Sequence, residues 1–193
     1  TDRLFVTDNT GDGRLYAVNK NGVRETLATG IPAIAVPAVR STGEIFVSTA
    51  LGSNLGEVLQ VDRASGATSV VLSGLDYGAG LAFDANGDLI VQEADFSTFR
   101  GKLQRVRISQ SPAGLVFGTA LPLLGDMQSS YAVVVDSEGD IFTSGSGGLY
   151  QFIALPPTEQ PFDDNGSPDQ IATALAFDPG SLPFEGFAGP GAG

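Results

Sequence analysis

Glu93 and Asp95 stand two residues apart at the end of an apolar run, Leu89-Ile90-Val91. On a strand that spacing puts both carboxylates on one face. Two such carboxylates work as acid and base when their surroundings drive their pKa values apart. A second kind of chemistry is offered by Asp8-Asn9-Thr10-Gly11-Asp12-Gly13, which sets side-chain oxygens at alternating places as a calcium loop does. The distal glutamate of such a loop would fall near Asn19 and is missing, so the segment also reads as a glycine-rich turn. Asp163, Asp164 and Asp169 form the densest carboxylate cluster, either a calcium site or a solvated turn. The metal candidates are therefore Asp8, Asp12, Asp163, Asp164 and Asp169, with calcium as the ion, and no residue is assigned a catalytic or cofactor-binding role.

Asp84, Asp136 and Asp178 each close an apolar run. They read either as a ring of oxygens or as caps, each accepting the backbone N–H groups of its own turn. The recurrence of one Asp per repeat favours the cap.

The 193-residue chain has no histidine and no cysteine. That removes the commonest general base, the commonest transition-metal ligand, thiolate sites and disulfides. A metal here would be a hard, oxygen-loving cation. The net charge is −12, with two lysines, Lys20 and Lys102. Such a surface repels phosphates and anionic lipid heads, which argues against nucleic acid as a partner. No apolar run reaches the roughly 18 residues of a membrane helix, so membrane insertion is not expected.

The length suits one domain burying roughly 70% of its unfolded surface. At 42% hydrophobic residues it is a globular composition, and 26 glycines with 11 prolines imply many turns. The chain opens on Leu4-Phe5-Val6 with no leader ahead of it and reads as a processed or excised segment. Its acidic, lysine-poor, cysteine-free composition suits a secreted, extracellular bacterial product.

The elements that must position these groups come from a repeat. Related segments begin at residues 35, 79, 131 and 172, spaced by 44, 52 and 41 residues. In each an apolar strand ends at Val39, Phe83, Val135 or Phe177. A turn with glycine at its third place (Gly43, Gly87, Gly139) follows in the first three, and then a second strand from Ile45, Leu89 or Ile141, matched by Leu4 near the N-terminus. A third strand recurs at 14–18, 57–61, 102–106 and 148–152, with apolar second and fifth places. Those places lie on opposite faces, so both faces are buried, as when blades stack. An outer strand is expected at Val23–Leu27, Thr68–Leu72 and Leu115–Thr119. Phe5, Phe46 and Phe142 share one column and read as core between blades.

The period and patterning predict an all-β β-propeller with about four blade repeats. The blades fall near 1–30, 31–75, 76–125 and 126–170, followed by a closing strand at 172–177 and a Gly/Pro-rich tail at 178–193. The first repeat lacks its inner strand. Three arrangements answer the open edge this leaves. Residues 172–177 close a four-blade ring, or they complete a neighbouring molecule in a strand-exchanged assembly, or the chain is part of a larger propeller.

The run Leu81-Ala-Phe-Asp-Ala-Asn-Gly-Asp-Leu-Ile-Val91, followed by Gly101-Lys-Leu-Gln-Arg-Val106, resembles the NHL-repeat and SMP-30/gluconolactonase-like propellers over nearly the whole chain. The resemblance is specific for architecture. It implies either a binding platform of the NHL kind or a calcium-dependent lactonase of the SMP-30 kind. For the latter it implies a cluster drawn from Glu93, Asp95, Asn54 and Asp126. The expectation is a non-catalytic extracellular module, structural or interacting, that associates with itself or with a protein or surface partner. The alternative is the calcium-dependent lactone or ester hydrolase.

Overall fold

The computed structural model describes residues 3–52, 54–128, 130–145 and 148–152. Each copy of the repeat folds into one antiparallel sheet whose strands lie in chain order. The first sheet holds β1 (Arg3–Asp8), β2 (Arg14–Asn19) and β3 (Arg24–Thr29). The second holds β4 (Ile34–Val39), β5 (Ile45–Thr49), β6 (Gly56–Val61) and β7 (Thr68–Leu75). The third holds β8 (Gly78–Phe83), β9 (Leu89–Asp95), β10 (Arg100–Ser111) and β11 (Gly114–Gln128), and the fourth β12 (Ser130–Val135), β13 (Ile141–Gly145) and β14 (Gly148–Phe152). No helix occurs among the described residues. The all-β expectation holds, and the first sheet does start on a second strand. The segments 172–177 and 178–193 lie outside the described residues.

The sheets pack in a row, β1 on β4, β4 on β8, and β8 on β12. No packing of that kind joins β12 to β1 among the described residues, so a closed four-blade ring is not seen. Alternation along each strand builds the interfaces. Phe46, Val58, Leu81, Leu89, Val91 and Val106 form one core between the second and third sheets. Phe46 sits at its centre with Phe83 and Phe117 edge-on at 5.4 and 6.1 Å. Removing such a buried ring costs about 3–5 kcal/mol.

The two ends of the row expose what its interior buries. Leu4 is 65% exposed where its counterpart Ile45 is 1%. Leu149 is 45% exposed where Leu103 is 1%. Phe5 packs against the core between the first two sheets, whereas Phe142, on the outer face of the fourth, is half-buried.

The inner turns repeat one device. Asp84 Oδ1 accepts the N–H groups of Asn86 and Asp88, each at 2.9 Å. Asp136 Oδ1 does the same for Glu138 and Asp140 at 2.9 Å. Gly43, Gly87 and Gly139 all take positive φ, as a reversal this tight requires. In the second sheet Arg40 stands where the Asp would be, and its Nε donates to the Gly87 carbonyl at 3.1 Å, tying two neighbouring turns together.

One element outgrows its expectation. The third and outer strands of the third sheet run to Ser111 and from Gly114, as one long hairpin with register shifts. Asp88 Oδ1 holds the Ile108 N–H at 2.9 Å, which carries the ladder past Val106. Ser111 closes the tip by donating to the Gly114 carbonyl. This insertion accounts for the long 52-residue spacing.

Candidate functional site

Along β9 the side chains of Leu89, Val91, Glu93 and Asp95 share one face. The first two belong to the core against the second sheet, and the strand then runs out to the edge where the β9–β10 hairpin turns. On β10, Lys102 pairs with Glu93, and Gln104 lies two residues further on the same face. Glu93 is thereby 1% exposed yet surrounded by donors. Its Oε1 lies 3.0 Å from Lys102 Nζ and accepts from Gln104 Nε2. Its Oε2 accepts the Asp76 N–H at 3.1 Å. A carboxylate offers about four lone-pair directions. Oε2, with this one bond, keeps a direction for a further donor.

A cavity of about 200 Å³ opens here, lined by Asp76, Glu93, Asp95, Arg100, Gly101, Lys102 and Gly125. Three carboxylates and two cations in one hollow can polarise a carbonyl and take a proton from water. Burying a carboxylate without a partner would cost several kcal/mol, which explains why Lys102 leans onto it.

Asp95 has a different task. It accepts from the Ser97 hydroxyl at 2.6 Å and the Thr98 hydroxyl at 2.7 Å, and also from the Ser97 N–H at 2.8 Å. The Ser97 hydroxyl and then the Thr98 hydroxyl hold its carboxyl down to about 2. It is therefore an ionised clamp on the hairpin and not an acid partner for Glu93. Asn54 is exposed, with left-handed backbone (φ 59°), and is not among the cavity's walls. The side chain of Asp126 lies outside the described part.

The metal candidates fare as follows. Asp8 accepts the Thr10 hydroxyl and N–H at 2.6 and 2.9 Å, and the hydroxyl above all lowers its pKa. Asp12 accepts from Arg14 Nε at 2.9 Å. Asp163, Asp164 and Asp169 lie outside the described residues. The carboxylates that converge are instead Asp136, Glu138 and Asp140, with ligand atoms within 4.8 Å of one another. Their oxygens suit a hard cation, although Asp136 and Asp140 already accept bonds from two amides and from Gln151. At Glu93 a divalent ion would have to displace the Lys102 ammonium, so the residues there do not fit one.

The aspartate caps were read correctly, since Asp84 and Asp136 serve their own turns. Asp84 Oδ2 also lies 3.3 Å from Arg105 Nε, an ion pair too poorly aligned to count as a hydrogen bond. Missed in the sequence were Asp76, Lys102 and Gln104. Lys102 is one of two lysines and begins its strand opposite the end of β9, a signal that only the ladder register turns into a contact. Gln92 was also missed. It is fully buried on the opposite face, and its amide finds no partner among the described residues.

No protein-family model and no curated protein matches the sequence. Solved structures do match. A structural-genomics target assigned as a gluconolactonase is 16% identical with a TM-score of 0.58, over 78% of this chain and 56% of that one. The calcium-binding protein regucalcin from Agrobacterium tumefaciens is 18% identical with a TM-score of 0.59, over 79% and 54%. The PQQ-bound aldose sugar dehydrogenase of Streptomyces coelicolor is 15% identical with a TM-score of 0.60, over 80% and 59%. The chain thus spans little more than half the length of these structures. The resemblance to SMP-30-like propellers is borne out at the level of fold. The expectation of a non-catalytic module is corrected. It rested on the absence of histidine, on the lack of a convergent set of residues and on the incomplete terminal blade. The architecture is shared with proteins named as enzymes, so it does not mark the chain as non-catalytic.

Proposed function

We propose that the chain is a hydrolase of lactones and simple esters, acting at the Glu93 cavity. The observation that carries this reading is a buried carboxylate that opens onto a hollow holding two cations. The likeness in fold to a protein assigned as a gluconolactonase supports the same class.

In this reading a water sits on Glu93 Oε2. Its oxygen adds to the carbonyl carbon of the substrate while Glu93 takes the proton. The carbonyl oxygen becomes an oxyanion beside the Lys102 ammonium and the Arg100 guanidinium, in a partly dry site where such charges act strongly. The ring C–O bond then breaks, and the leaving oxygen recovers the proton from Glu93 to become a hydroxyl. One lactone and one water give one hydroxy acid, with no other reactant.

A calcium ion, where it binds, belongs with the Asp136, Glu138 and Asp140 oxygens. These sit at the turn between β12 and β13, the end of a sheet opposite its β13–β14 hairpin. An ion there would brace the fold and would not enter the chemistry.

The test is a pH-stat assay of purified protein against five- and six-membered lactones and open-chain esters, with and without EDTA. Turnover that persists in EDTA and falls with Glu93→Gln supports the reading. Turnover equal in wild type and Glu93→Gln overturns it.

A further inference from the structure

The two outer faces of the row repeat the two halves of an interface inside it. Towards the third sheet, the second sheet presents Ala38, Phe46, Ser48, Val58 and Gln60. Ala38 and Gln60 flank Phe46, and Val58 stands opposite Ser48. The outer face of the fourth sheet presents Val134, Phe142, Ser144, Leu149 and Gln151 in the same register. Phe, Ser and Gln recur unchanged, and one aliphatic residue stands for another at the remaining two places. Inside the row Ala38 is 8% exposed and Val58 0%. At the end of the row their counterparts Val134 and Leu149 are 59% and 45% exposed.

The opposite end of the row carries the other half. The third sheet meets the Phe46 face with Leu89 opposite Val106 and with Val91 opposite Gln104. On the outer face of the first sheet, Leu4 lies opposite Val18 and Val6 opposite Tyr16. Leu89, Val91 and Val106 are each 0% exposed, whereas Leu4 and Val6 are 65% and 37% exposed. The Tyr16 ring is roofed by the Arg24 guanidinium at 4.4 Å, which leaves Leu4, Val6 and Val18 as the aliphatic seat. Aliphatic surface left in water forgoes the free energy that the same surface gains inside the row. One end thus has the shape of a donor face and the other that of its acceptor. Two faces that differ and fit each other make a head-to-tail contact.

We infer that the outer face of the fourth sheet is a docking surface for the outer first-sheet face of a second copy of this chain, so that two copies join head to tail. Phe142 then takes the central place that Phe46 holds inside the row, over Leu4 and Val6 of the other copy. The contact is sheet face on sheet face and involves no exchange of strands. The row matches 54–59% of the length of the three solved structures above, so two rows together have about the length of one such structure. Twice the four described sheets also falls within the roughly four to eight blades of a closed propeller. Among the described residues β1 has no inner strand beside it, so this contact is smaller than the one inside the row and is reversible. The Glu93 cavity is lined by residues between Asp76 and Gly125, on neither end face, so the inference stands apart from the hydrolase reading.

The test is sedimentation equilibrium of the 193-residue chain over a range of concentrations, for wild type, Leu4→Glu, Val134→Lys and an equimolar mixture of the two variants. Wild type is expected to pass from the mass of one chain to that of two as concentration rises. Each variant alone places a charge in the contact at both junctions, and its dissociation constant rises at least about 100-fold. Both positions are exposed in the single chain, so circular dichroism of either variant matches that of dilute wild type. The mixture recovers the double mass. Leu4→Glu still offers an intact fourth sheet, Val134→Lys still offers an intact first sheet, and at the second junction Glu faces Lys. Wild type that keeps the mass of one chain at every concentration overturns the inference. So does an association that only one of the two substitutions abolishes, because a face is then meeting its own copy. A mixture that stays at the mass of one chain overturns it as well.

Discussion

The two edges of the sheets treat the same repeat differently. At one edge Arg40, Asp84 and Asp136 open five-residue turns of one design, each with its glycine at the fourth place and with the same backbone bond, from glycine N–H to the first carbonyl. At the other edge the hairpins β1–β2, β5–β6 and β9–β10 have loops of different length and content. One design serves wherever the task is only to reverse the chain. Where the loops diverge, the third sheet has gathered Glu93, Asp95, Arg100 and Lys102 around a cavity. Repetition within the chain marks structure, and departure from it marks the place to look for chemistry.

That contrast breaks first at Glu93. Glu93→Gln keeps the shape and removes the base, and it is expected to lower kcat at least about 100-fold. Its thermal midpoint should fall modestly, because an amide has one accepting oxygen and cannot serve both the Asp76 N–H and Gln104 Nε2. A loss of stability with activity retained would place Glu93 among the structural repeats instead.

The reverse is expected at the other edge. Asp84→Ala leaves the N–H groups of Asn86 and Asp88 uncapped and the Arg105 guanidinium without its ion pair. Urea unfolding should show a loss of about 1–3 kcal/mol, with turnover within twofold. A collapse of turnover at full stability would erase the distinction between the edges.

Lys102→Met sits between these extremes. It removes the ammonium facing both Glu93 and the developing oxyanion, so kcat should fall about tenfold or more. Stability falls less than for a fully buried pair, because Lys102 is half in solvent. An unchanged kcat would assign the oxyanion to Arg100 alone.

The smallest effect concerns acid. Asp95 is held to about 2 in the fold against an ordinary value of 3.8. A carboxyl whose folded pKa is depressed contributes its stability above the unfolded value and loses it as pH falls to the folded one. The β9–β10 hairpin should therefore loosen between about pH 4 and pH 2, seen as faster amide exchange at Ser97 and Thr98. Asp95→Asn should remove that pH step, and its persistence would mean that another group clamps the hairpin.

Much of the fold was legible because its signals are local. Val91, Gln92 and Glu93 alternate between faces whatever lies opposite, and Gly87 marks its turn by its own backbone need. The caps of Asp84 and Asp136 reach no further than four residues. The candidate site was half legible. Glu93 and Asp95 stood out as a pair, but the pair dissolves once Ser97 and Thr98 claim Asp95. Asp76 reaches Glu93 from the crossing between two sheets, and Gln104 reaches it across a ladder. Neither approach has a mark in the primary structure.

By itself the sequence determined an all-β chain of repeated sheets, the order of their strands, and the chemistry left to it once histidine and cysteine are absent. Periodicity of two, glycine turns and aspartate caps are short-range properties, and a linear text carries them. Only the tertiary structure decided that Glu93 is buried against Lys102, that Asp95 is a clamp, and that the ends of the row stay open among the described residues. Those outcomes depend on register and on which sheet packs against which, and both are set by the summed burial of faces far apart in the chain.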